Sequence, residues 1–347
     1  MMHIIDISCI SPQDTYGAEG FNSEVIPHAG HQYMAKEPDY KSFISRGALR
    51  RMGKASRLGI GAGHPLIQRH SNVDGIIIST GNGGLGECVQ FLDQIIKYDE
   101  GTLTPTHFVN STANSISGSL ALSSKNKGYN ATFVGHGFGF ESALLDALMH
   151  FEEGNTHSLL VGGVDEISAY NSNIERHRGS FKAEETTSSN LLKSTSRGTV
   201  TGEGAAMFMV SNDSKDKLAS VLDVGMIFSS SIQEVQKTII DFLTKNKLQP
   251  SDIDTLILGM NGDRKGDQFY QELIKNDFGT QTILTFKNLV GDYPTVSSFA
   301  LWMATQNGNI PQEAIYRKGS SSFKTILIYN HYHNEQHGFI LVEKAFD

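Results

Sequence analysis

The alternation of strand-like and helix-like runs predicts an α/β fold for this chain. Two further observations frame that class. The length of 347 residues suits two domains, or two fused halves sharing one core. Thirty-five glycines against eight prolines favour tight turns and close backbone approaches over rigid linkers.

The elements follow in order. "VDGIIIST" (73–80) is a short apolar run ended by glycine, the pattern of a buried strand. "LGECVQFLDQII" (85–96) has apolar residues at helical spacing, and "NATFVG" (130–135) is a second strand. "ESALLDALMHFEEG" (141–154) puts Leu144, Leu145, Leu148 and Phe151 on one helical stripe and ends at Gly154, a good C-terminal cap. "HSLLVGGVDE" (157–166) is a third strand, followed after a polar stretch by "GEGAAMFMVS" (202–211). The alternation then repeats. "LASVLDVGMIF" (218–228) and "IDTLILGMNGD" (253–263) read as strands, and "IQEVQKTIIDFLTKN" (232–246), "DQFYQELIKNDF" and "VSSFALWMATQNG" (296–308) as helices. "FKTILIYN" and "HGFILVEKAF" close the chain as two strands. No repeat is visible as matching letters, although two similar β/α sets fit the order.

Composition narrows the partners. The content is 39% hydrophobic and 19% charged, ordinary for a globular chain, and the formal charge is −8. The one basic run, "SRGALRRMGKASR" (45–57), reads as a solvated helix face, so nucleic acid is not expected as a partner. Cys9 and Cys88 make neither a disulfide framework nor a zinc spacing, which fits a reduced cytoplasm. Cys88 sits inside a helical run and is not expected to be a nucleophile. The N-terminus lacks the pattern of a signal peptide, and no apolar run reaches the roughly 18 residues of a membrane span.

Three stretches could carry chemistry. "VGHGFGFESALL" (134–145) joins a strand to a helix through Gly135, Gly137 and Gly139. It resembles a phosphate-cradling loop, but a plain close-packed turn fits better because Glu141 would repel a phosphate. His331, His333 and His337 could hold a metal, yet no further ligand accompanies them at a recognised spacing, so core or surface histidines are expected. "NSTANSISGSLAL" (110–122) gathers Ser, Thr and Asn at a helix start. Such residues cap free N–H groups, and small side chains on several faces suggest a helix packed on all sides. The start of such a helix would stabilise a thiolate or an oxyanion.

Seven segments, taken in order and spacing, resemble the β-ketoacyl synthase-like branch of the thiolase superfamily from about residue 44 to the end. They are "RRMGKASRLGIGA", "IIISTGNGGLGECVQFLDQI", "PTHFVNSTANSISGSLAL", "LLVGGVDE", "GEGAAMFMV", "FKNLVGDYPTVSSFALWMA" and "YNHYHNEQHGFILVE". The resemblance is to divergent, chain-length-factor-like members of polyketide and aryl polyene type. It implies two βαβαβ halves, 1–212 and 213–347, in a five-layer αβαβα core.

It also implies a site. Active members carry a Cys at the start of the buried helix and two His residues that stabilise a thioester enolate. The matching letters here place Asn114 at the nucleophile, Asn261 near the first His and Asp292 at the second, with Lys287 kept. "HNEQ" (333–336) stands for a glycine-rich loop that supplies an oxyanion donor. Phe108, Ser111, Thr112, Glu203 and Asn330 are expected to support the pocket, with Phe108 or His107 facing an acyl tunnel. No cofactor or metal is implied.

With nucleophile, both histidines and loop all changed, the resemblance implies a catalytically degenerate subunit. Its partner would be an active ketosynthase in a heterodimer, or a second copy, and an acidic acyl carrier protein would dock mainly on that partner. Two alternatives stay open. One is acyl transfer or thioester hydrolysis by Ser111, Ser115 or Ser117 with His107 or His136 as base. The other is a stand-alone binding protein for an acyl or aromatic ligand.

Overall fold

The computed structural model describes all residues except 18–19, 23, 71, 307–309, 320–322 and 346–347. The strands are β1 (Met2–Ile10), β2 (Gln32–Tyr33), β3 (Gly75–Thr80), β4 (Tyr129–Val134), β5 (Ser158–Asp165), β6 (Thr201–Gly202) and β7 (Gly204–Ser211). They continue as β8 (Ala219–Phe228), β9 (Thr255–Leu258), β10 (Thr282–Thr285), β11 (Ile315–Arg317), β12 (Thr325–Tyr332) and β13 (Gln336–Lys344). The short β2 and β6 pair with each other, and the rest form one sheet in the order β11-β10-β9-β12-β13-β8-β1-β7-β5-β3-β4.

That order contains the repeat that the letters hide. In β1-β7-β5-β3-β4 the first two pairings are antiparallel and the last two parallel. In β8-β13-β12-β9-β10 the same pairing types recur in the same sequence. β1 and β8 join the two sets through Met2–Ile4 and Ala219–Val221.

Packing makes five layers. The helices Gly139–Glu152 and Ser297–Ala304 lie in one buried cluster with strand residues of both sets. Every residue of Ser297–Ala304 is buried. Gly139–Glu152 touches β1, β3, β4 and β5 as well as β8 and β13. Helices Lys54–Arg69 and Ser115–Ser124 cover the outer face of the first set, and Ile232–Lys245 and Asp267–Asn276 cover that of the second. A helix wedged between two sheets must be apolar or small all round, which "SSFALWMA" is.

Element types agree with the sequence pattern where it was strongest. Leu144, Leu148 and Phe151 are buried as the stripe requires, whereas Leu145 is partly exposed. The end of the run 296–308 lies outside the described residues. Two elements were not legible. β1 has Asp6 and Ser8 breaking its apolar run, and burial comes from strands far away in sequence. The run 45–57 is solvated only at its start, because from Ala55 the helix Lys54–Arg69 is buried through Gly63. Among the described residues no helix is long and apolar enough to cross a membrane.

One core group has a measurable consequence. Glu141, on the first turn of Gly139–Glu152, is fully enclosed, and burial pushes its carboxyl up to about 7. Its folded value lies above the unfolded one, so between about pH 4.5 and 7 the native state binds the extra proton. Stability therefore falls as pH rises through that window. Glu141→Gln is expected to flatten the profile and to add on the order of 3 kcal/mol at pH 8. Urea melts at pH 5 and pH 8 check it, and an unchanged pH slope would count against a protonated Glu141.

Candidate functional site

The helix packed against both strand sets is Gly139–Glu152, not Ser115–Ser124. Of the latter only Ile116, Ser117 and Leu120 are buried. A Cβ placed on Gly118 would meet nothing within 4 Å. Gly118 therefore faces open space while Ser117 is buried, and this one-sided packing corrects the expectation of a helix packed on all sides. Asn114 is exposed and makes no side-chain cap bond, so the capping role expected of it is not realised. Thr112 is exposed too, and Phe108 is 57% exposed with its ring against Phe91.

Asn261 and Asp292 do come together. Asn261 follows β9, and its turn is fixed by Asp267, whose carboxylate accepts from the backbone N–H groups of Asn261 (3.0 Å) and Gly262 (2.9 Å). Burial lifts that Asp267 carboxyl to about 6. The Asn261 amide nitrogen donates to Asp292 Oδ2 at 2.8 Å. On the other side Lys287 Nζ lies 2.9 Å from Asp292 Oδ1 and donates to the carbonyl of His331 at 3.1 Å. The Lys287 side chain is fully buried, so Asp292 is its counter-ion. The Asp292 carboxylate, which by the resemblance stands where a histidine would, is here largely neutralised by its neighbour.

A cavity of 260 Å³ opens over this pair. Its lining includes Thr199, Asn261, Asp292, Tyr332, His333 and, at the rim, the side chains of Arg178, Arg197 and Lys265. Asn114, Ser111 and Phe108 are not part of it. Two histidines that the sequence offered for other roles, His333 as a metal ligand and His136 as a base, meet this cavity's lining. His333 holds a positive φ of 51° at the tip of the β12–β13 hairpin, and burial lowers its imidazole below the usual range. His136 stacks on Tyr332 with ring centroids 5.4 Å apart.

His136 belongs to the glycine turn that opens the buried helix. The next residue, Gly137, donates its N–H to Gln336 Oε1 at 2.6 Å. A Cβ on Gly137 would stand 2.4 Å from that oxygen and 2.8 Å from Tyr332 Cβ, so only glycine fits. Of the close-packed turn expected for Gly135, Gly137 and Gly139, only Gly137 is tightly packed, since a Cβ on Gly135 or Gly139 would meet ordinary contacts at 3.6 and 3.7 Å.

The remaining expected residues are structural. Glu203 is buried and accepts from the N–H groups of Ala35 (2.9 Å) and Ile167 (2.8 Å) and from Lys54 (2.6 Å). Asn330 is buried on β12. Ser111 Oγ donates to the Phe108 carbonyl at 2.7 Å, and Ser117 Oγ meets Thr132 at 2.8 Å. His107 is held by Glu87 at 2.7 Å, away from the serines it was expected to serve. His331 and His337 face each other across β12 and β13, with His331 Nε2 bonded to the Gly266 carbonyl and both His337 ring nitrogens bonded, to Tyr329 and Ser229. Burial holds the His337 imidazole down at about 4, so it is a neutral core group. Among the described residues no three His, Cys, Asp or Glu side chains could hold a metal ion.

Known proteins agree with this architecture. The ishigamide ketosynthase/chain length factor superposes with a TM-score of 0.80 at 12% identity, covering 99% of each chain. A β-ketoacyl synthase from Burkholderia phymatum STM815 gives 0.76 at 12% identity, again over 99% of each chain. The ketosynthase ApeO in complex with its chain length factor ApeC, from Xenorhabdus doucetiae, gives 0.73 at 15% identity over 99% of this chain and 98% of that one. At such identities the likeness establishes the thiolase-type fold. No curated protein matches the chain by sequence. Residues 28–216, more than half of the chain, match the family described as β-ketoacyl synthase, N-terminal domain. The chain belongs to the β-ketoacyl synthase family.

Proposed function

We propose that this protein is a catalytically silent, chain-length-factor-like subunit that pairs with an active ketosynthase in a fatty acid or polyketide type condensing complex. The observation that carries it is the occupied turn at Gly137. The family mounts its nucleophile at the start of the buried helix, and here that start bears no nucleophile and its N–H is taken by Gln336. On this reading Gly137, rather than Asn114, stands at the nucleophile position. Asn261 and Asp292 replace the two imidazoles, and their polar groups are already spent on each other and on Lys287. The strand repeat supports a division into halves 1–212 and 213–347. An acyl carrier protein would dock mainly on the partner.

A surface for the partner accompanies the silent pocket. β4 lies at the end of the sheet and pairs only with β3. Around it Leu122 is 82% exposed, Val134 65% and Val109 63%. Exposed apolar groups on and beside an open strand edge suit an interface. Co-expression with a ketosynthase encoded beside this chain should give one stable complex by gel filtration. A chain that stays alone beside every such synthase would favour the stand-alone binding protein instead. Neither Asn114→Cys nor Gly137→Cys should yield condensation with malonyl-carrier protein. The first thiol would be outside the pocket, and the second would collide with Gln336 and lack both imidazoles. Turnover by either single variant would refute the silent reading.

One observation favours a second reading, thioester hydrolysis. His333 brings an imidazole into the lining of the cavity from outside the family's positions, and His136 stacks on its neighbour Tyr332. On that reading His333 takes a proton from water, hydroxide adds to the carbonyl, the C–S bond breaks and the imidazolium returns the proton to the thiolate. A chain that cleaves an acyl thioester and loses at least 100-fold of that rate in His333→Ala would establish it.

A further inference from the structure

We infer that a second cavity, beneath the β11 edge of the sheet, is a binding site for an apolar alcohol or phenol. It has a volume of 410 Å³, within the range of small-molecule pockets. Val25, Pro27, Leu192, Leu289, Ile315 and Tyr316 supply its apolar wall. Lys193 and Glu313, of opposite charge, both line it, so no net charge selects an ion.

The second observation is one amide. Asn288 lines the cavity and is 4% exposed. Its Nδ2 donates to the Glu313 carbonyl at 2.8 Å. Its Oδ1 is buried and has no hydrogen-bond partner among the described residues. An orphaned buried acceptor carries the cost of its lost hydration, and a ligand hydroxyl that donates to it recovers that cost. The complementary ligand is therefore apolar in body and carries one hydroxyl donor.

Its position gives the site a use. The four-residue helix Lys287–Val290 turns Lys287 toward Asp292 and His331, and presents Asn288 and Leu289 to this cavity. Two pockets thus share one short element, and the second one sits behind the anchor of the first. The inference does not rest on the pairing function.

The test uses the full chain and two probes, 4-butylphenol and its methyl ether, titrated by ligand-observed NMR. The phenol should bind saturably and at least tenfold tighter than the ether, which has the same body without the donor. Ile315→Trp should fill the cavity and abolish binding of both. Asn288→Leu should bring the phenol down to the level of the ether, and Asn288→Asp, which keeps an acceptor, should retain the preference. No saturable binding, equal affinity of the two probes, or binding untouched by Ile315→Trp would each overturn the assignment. The two-probe comparison on the unsubstituted chain decides the matter even if an Asn288 variant fails to fold.

Discussion

Replacing Lys287 by Met is expected to cost about 3–5 kcal/mol of folding stability, because it strands a carboxylate that the fold has taken partly out of water. The ammonium is fully buried, lies 2.9 Å from Asp292 and has one backbone acceptor besides, the His331 carbonyl. Removing the cation leaves Asp292 with the Asn261 amide as its side-chain donor. The double variant Lys287→Met/Asp292→Asn removes the stranded charge and keeps an oxygen for Asn261. It should recover more than half of the loss. Urea melts of the three proteins at pH 7 give the comparison. A single variant that costs less than about 1 kcal/mol would mean that the pair is not the structural link described above. Catalytic imidazole pockets need polar groups free for the transition state. A pocket whose carboxylate is a structural counter-ion has those groups already committed, which is why this result bears on the silent reading.

The second large effect is expected at the surface. Leu122→Asp combined with Val134→Asp should weaken association with the partner ketosynthase by at least about 100-fold, since two charges would have to be buried in an apolar contact. Both side chains are largely exposed in the isolated chain, so its own stability should change little. The control is Tyr316→Asp, which puts the same charge on β11 at the opposite end of the sheet. That variant should still co-elute with the partner. If it dissociates as readily as the double variant, the β4 edge is not the interface. Gly118, on Ser115–Ser124, belongs to the same argument. It looks out on open space in one chain.

The α/β class, most element boundaries and the family were legible in the letters, for a local reason. Burial of a strand or a helical stripe is written in runs of four to fifteen residues, and "GIIIST" or "LLDALMHF" cannot be satisfied any other way. Asn261 and Asp292 could be matched for the same reason, since each follows a strand or a Lys-x-x-x-Gly at fixed spacing. Which helix is central was not local information. "NSISGSLAL" and "GFESALLDAL" both begin with small residues, and a small residue fits equally against a packed sheet or against nothing. Only the stacking of both strand sets on Gly139–Glu152 separates them. The same holds for chemistry. His136, His333 and Gln336 lie about 200 residues apart in part, with Gly137 and Gln336 bonded across a separation of 199. No spacing rule reaches that far. The sequence by itself determined the α/β class and the β-ketoacyl synthase family pattern. The tertiary structure decided where the pocket floor lies, that Lys287 neutralises Asp292, and which apolar face is left uncovered, because each depends on contacts between segments that the chain brings together only when both sheets close on the central helices.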